Sequence, residues 1–139
     1  MLLPEYHTPD AYIIRTDFSN EEGWTRICDE IRESLNDLET NVCFVEDRQF
    51  DKASIGDLLP VLQGNPFYSF AMVIDYDSIA SAEFTVMVVD LFEEPGRIFR
   101  VTPAAMPSVQ ANLWLANMDF EDYAGSVDPD GVFRGFEQS

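Results

Sequence analysis

The chain has 139 residues, 26 acidic against 8 basic, for a formal charge of −18. A surface this negative repels phosphate backbones and anionic membranes. That excludes direct nucleic-acid or membrane binding through a basic patch, because Arg15, Arg26, Arg32, Arg48, Lys52, Arg97, Arg100 and Arg134 are scattered. The 46% apolar and 13% aromatic content is too rich for a disordered acidic tail, so one folded domain over 1–139 is expected.

Residues 1–10 read as a tail, without the positive start and apolar stretch of a signal peptide. Residues 12–18 are rich in β-formers and predict a strand. Ser19 with Glu22 three residues on is the capping-box signature of a helix start. Trp24, Ile27, Cys28, Ile31, Leu35 and Leu38 then recur at spacings of three and four, one apolar helix stripe. The opposite face carries Glu21, Arg26, Asp29, Glu30, Glu33 and Asp37, with Glu22–Arg26 and Arg26–Glu30 spaced for i,i+4 ion pairs.

Residues 41–45 predict a second strand, ending at Glu46 and Asp47. A short helix is expected after Ser54, with Asp57 in its first turn, Leu58, Leu59 and Leu62 inward, and Pro60 limiting or bending it. Gly64-Asn65-Pro66 is turn chemistry. Residues 70–75 form a continuous apolar run, the mark of a central strand. Residues 84–92 form another, and Pro95-Gly96 then sit as a type II turn requires, so residues 97–102 return as the second arm of a hairpin. These runs are far too short to span a membrane.

From Pro107 the pattern is helical, with Val109, Leu113, Ala116, Phe120, Tyr123 and Val127 on one face. Residues 117–119 offer a break, where Asp119 would cap a second helix. Residues 128–131 are a turn and 132–136 a last strand. The order β-α-β-α-β-β-β-α-β predicts a single α/β (α+β) domain, with helices packed on a mixed sheet of five or six strands.

Ala71-Met72-Val73-Ile74-Asp75-Tyr76-Asp77-Ser78 is the stretch most suggestive of chemistry. An apolar strand ending in Asp-x-Asp can present Asp75 and Asp77 to Mg²⁺ at the mouth of a sheet. Asp17, and Glu46 or Asp47, would join them if the strands run parallel. Against this, phosphoryl transfer also requires cations, and the sole lysine, Lys52, has no motif around it. Aspartates at strand ends also simply begin turns. Arg15 shares a strand face with Asp17, while Arg100 and Arg134 lie among β-type aromatics. They read either as ion-pair partners of nearby carboxylates or as anion- or partner-binding residues. Trp114 stands off its helix stripe and is a candidate contact residue.

Cys28 and Cys43 lie in apolar surroundings and fit the reduced core thiols of a cytoplasmic protein. With His7 as the only histidine, a zinc site lacks ligands, and no cofactor is implied. Neither a nucleophile–base set nor a Gly-rich phosphate loop is present.

Three segments together carry a family resemblance. They are Arg15-Thr16-Asp17-Phe18-Ser19, the stretch 90–101 (DLFEEPGRIFRV), and Ala116-Asn117-Met118-Asp119-Phe120-Glu121-Asp122 running on to 130–136 (DGVFRGF). The chain resembles a family of small acidic, mostly bacterial proteins classified only as a domain of unknown function. The resemblance covers residues from about 11 to 136 and implies one complete domain. It implies no activity, cofactor or catalytic residue.

The leading expectation is a non-enzymatic interaction or regulatory protein, immunity-like or inhibitor-like, binding a basic protein surface. The alternative is a small carboxylate-dependent enzyme or ligand-binding domain using Asp17, Asp75 and Asp77 at the C-terminal strand ends, with or without Mg²⁺. A homodimer through an exposed strand edge or Trp114 is compatible with either.

Overall fold

The computed structural model describes residues 11–35, 42–64, 69–114 and 118–136. The expected tail at 1–10 lies outside them, as do Asp37, Leu38, Asn41, Asn65, Pro66, Ala116, Asn117 and the side chain of Trp114. Six strands form one mixed sheet: β1 (Ala11–Arg15), β2 (Val42–Val45), β3 (Phe70–Ile74), β4 (Val86–Asp90), β5 (Ile98–Val101) and β6 (Val132–Phe133). Their spatial order is β2-β1-β3-β4-β5-β6. β1 pairs in parallel with β2 and β3, β4 runs antiparallel to both neighbours, and β6 is parallel to β5.

β1, β3 and β4 are buried at every position, as continuous apolar strands covered on both faces must be. The period of two divides their side chains between two cores. Ile13, Met72, Ile74, Val86 and Val88 meet the helices α1 (Glu21–Leu35), α4 (Met106–Trp114) and α5 (Phe120–Ala124). Tyr12, Ile14, Ala71, Val73 and Val89 face α2 (Ile55–Leu62) and Phe50 of a 3-10 turn at Arg48–Phe50. On the α2 side the cover thins toward β5, where Ile98 is exposed.

The expected strands are shorter at their ends, for local reasons. Phe84 has φ +51°, outside the strand region, so the run from 84 becomes extended only at Val86. Beyond Arg15, the Asp17 carboxylate accepts from the Ser19 backbone N–H and Oγ–H, which turns the chain out of β1. This also corrects the helix start. Ser19 is occupied by Asp17, and Asn20 caps α1 instead, its Oδ1 accepting from Gly23 N–H at 2.9 Å. The helix after Ser54 carries the expected reciprocal cap with Asp57, and Pro60 lies within it without ending it before Leu62.

The hairpin turn is type II: Arg97 N–H donates to Glu94 O at 2.9 Å, and Gly96 takes φ +95°, a conformation glycine reaches without steric cost. Asp90, almost fully buried, organises the loop by accepting from Phe92, Glu93 and Glu94 N–H. A fifth helix, α3 (Tyr76–Ala80), occupies the stretch read as a bare strand end. Asp119 does begin a second helix, α5, with its N–H donating to Asp122 Oδ2 at 2.8 Å.

Candidate functional site

From β1 the chain enters α1 on one face of the sheet; from β2 it passes through α2 on the other and returns as β3. The order therefore reverses between β1 and β3, and the crevice outside their C-terminal ends is where open α/β sheets hold ligands. Parallel pairing sets Arg15 against Ile74, so Asp17 and Asp75 leave the sheet at the same end, as expected.

Arg15 is fully buried at this end, with its guanidinium 4.3 Å from the Phe18 ring centroid and 4.8 Å from that of Trp24. Nε donates to Asp17 O at 2.8 Å, Nη1 to Glu46 at 2.7 Å and Nη2 to Glu21 at 2.8 Å. The hydrogen bond from Arg15 holds the Glu21 carboxyl below its ordinary range. Arg15 thus meets the backbone carbonyl of Asp17, while the Asp17 carboxylate turns to Ser19. Glu46 serves Arg15, and Asp47 caps the 3-10 turn through Gln49 N–H.

Asp75 is the N-cap of α3 and accepts from Ser78 N–H and Oγ–H, both at 2.9 Å. Arg100 reaches across β4 and grips it with both terminal nitrogens, at 3.1 and 2.6 Å. Burial alone would push this carboxyl up; the Arg100 and Ser78 donors outweigh it and hold it below the usual carboxylate range. Asp77 is mostly exposed and only 3.8 Å from Arg100. Among the described residues no three carboxylate, histidine or cysteine side chains gather as a cation would need.

Arg134 lies apart from this crevice, after β6. It binds Glu83 with Nε and Nη2, and pairs with Asp128 and Asp130 at 2.5 and 2.7 Å. These partners, Glu83 first, raise its already high pKa. Arg97 pairs with Glu94 and Glu121. The candidate arginines thus bind the chain's own carboxylates, at two separate places. Trp114 ends α4, and its side chain is outside the described residues. Cys28 and Cys43 are buried and not joined in a disulfide, and burial pushes Cys28 up to about 12.

Sequence reading missed the freedom of Arg26. The pairs with Glu22 and Glu30 do not form; its guanidinium instead lies 5.4 Å from the ring centroid of Phe84. Only the tertiary fold brings these two together, so no local signal announces it.

The fold and its strand ends define a single-sheet α/β domain whose two strand-end arginines are held by the chain's own carboxylates. The family model described as Domain of unknown function (DUF6924) matches residues 10–136, and the chain belongs to that family. No match was found among curated proteins. Two solved structures similar in fold are of prolyl-tRNA synthetase from Cryptosporidium parvum. The one complexed with halofuginone and AMPPNP has a TM-score of 0.57 and 15% identity, covering 78% of this chain and 21% of that one. The one complexed with L-proline and AMP has a TM-score of 0.59 and 14% identity, covering 78% and 22%. The match thus spans about a fifth of each synthetase chain, and the likeness is one of fold alone. Among the described residues no helix is long and apolar enough to cross a membrane.

Proposed function

We propose that this is a non-enzymatic interaction or regulatory protein of the cytoplasm. It binds a basic surface of another protein through carboxylates of α1 and the adjoining loops, as an immunity or inhibitor protein does. One observation carries the reading. The candidate arginines spend themselves on internal carboxylates, whereas Glu22, Glu30 and Glu33 stand exposed on α1 without an ion-pair partner among the described residues. A field of one sign steers a basic partner and speeds its association, in a salt-sensitive way.

The test compares the protein with its E22K/E30K/E33K variant as baits, then measures association of any partner held only by the former. A basic partner is expected, with an association rate that falls steeply with salt and by about tenfold or more in the variant. The same proteins held by both baits, or a rate indifferent to salt, would refute it.

A further inference from the structure

Beside the crevice, between the first turn of α1 and the chain from α3 to β4, lies a cavity of about 390 Å³, the size of small-ligand pockets. We propose that it binds a small, net-neutral zwitterion carrying an apolar group, such as a free α-amino acid with an aliphatic side chain. The inference goes beyond the proposed partner binding and does not depend on it.

Glu22 and Arg26 line this cavity one helical turn apart, yet they do not pair with each other. Among the described residues neither has an ion-pair partner; Arg48 and Lys52 share that state, whereas Arg15, Arg32, Arg97, Arg100 and Arg134 are paired, and of the cations without a partner Arg26 is the one that lines this cavity. One unspent carboxylate and one unspent guanidinium on one wall match an ammonium and a carboxylate on one ligand. Polar donors stand alongside. Asn20 uses its Oδ1 on Gly23 N–H and keeps its Nδ2 donors, and Ser81 Oγ accepts from Glu83 N–H and keeps its own hydrogen.

The apolar part of a mostly polar lining comes from Ile79, Ala82 and Phe84. Phe84 is held at φ +51°, an outlier for a bulky residue, and this conformation accompanies its placement under Arg26. Charge decides the ligand class. A net anion is repelled by a chain of charge −18, and a net cation leaves Arg26 unanswered. A zwitterion satisfies both groups and escapes the long-range field.

The experiment titrates the ¹⁵N-labelled full chain with L-leucine, with N-acetyl-L-leucine, which keeps only the carboxylate, and with L-leucine methyl ester, which keeps only the ammonium. L-leucine at millimolar concentration is expected to shift the amides of Gly23, Ser81 and Phe84. Both blocked forms should bind at least about tenfold more weakly, as should L-leucine to E22Q and to R26Q. Both substitutions are at exposed positions, and the dispersion of the same spectra reports that the variants are folded. The proposal is overturned if none of the three ligands shifts those amides, if N-acetyl-L-leucine or the ester binds as well as L-leucine, or if either variant binds like the native chain.

Discussion

Asp75→Asn removes one charge from the grip between β3 and β5 while keeping an oxygen that can accept from Ser78 N–H, so the cap of α3 survives. Breaking a fully buried ion pair costs about 3–5 kcal/mol. Asp75 and Arg100 retain 23% and 18% exposure, so water recovers part of the loss and about 2 kcal/mol is expected. That corresponds to a fall in Tm of about 6 °C for a chain of this size.

The pH dependence gives the sharper check. Asp75 titrates below its unfolded value of about 3.9, so its contribution is complete above that pH and is lost as pH falls through the lower folded pKa. Urea unfolding of both proteins, from neutral pH into acid, should show a stability gap that is flat and then narrows as pH falls below about 3.9. A double-mutant cycle with Arg100→Met should return a coupling of about 1–2 kcal/mol. Additive losses in that cycle, or a gap that persists unchanged into acid, would refute the reasoning.

Gly96→Ala places a side chain at φ +95° and brings a Cβ to 3.2 Å from Leu59 Cδ1, so a loss of about 1–2 kcal/mol is expected in urea unfolding. Gly23→Ala drives its Cβ to 2.4 Å from Ile79 Cγ2, forcing α1 and α3 apart; overpacking of this kind costs about 1–3 kcal/mol, read as a lowered Tm. Ser54→Ala strips the cap of α2 and should cost about 1 kcal/mol by the same measurement. Cys28, buried and with its pKa pushed up to about 12, stays a thiol at neutral and mildly alkaline pH. It should resist Ellman's reagent until denaturant is added, and rapid native labelling of Cys28 would contradict its burial.

Much of the fold was legible because its signals are local. The runs in β3 and β4, the Pro95-Gly96 turn and the Ser54/Asp57 cap each declare themselves within a few residues. α3 was not legible: five residues are too few for a helical period, and its cap, Asp75 with Ser78, looked like an aspartate pair at a strand end. The start of α1 was displaced by one residue because Ser19 and Asn20 are both good caps, and only the claim of Asp17 on Ser19 separates them.

The site depended on distance along the chain. Arg15 was visible as an arginine on an apolar strand, but its partner Glu46 arrives only through the β1–β2 pairing. Arg100 finds Asp75 across β4. Helical spacing placed Arg26 with its neighbours Glu22 and Glu30, whereas the fold presents it to Phe84.

The place of β1 in the sheet has a kinetic consequence. Its two neighbours are β2 and β3, each reached only after a helical crossover, so Ile13 waits for both Phe44 and Met72 before its backbone is paired on either side. Parallel pairing of this kind defers its reward until long loops have closed, which slows folding and leaves apolar strands unshielded meanwhile. During that interval neighbouring chains are kept apart by mutual repulsion, and a charge of −18 supplies it before any native contact exists.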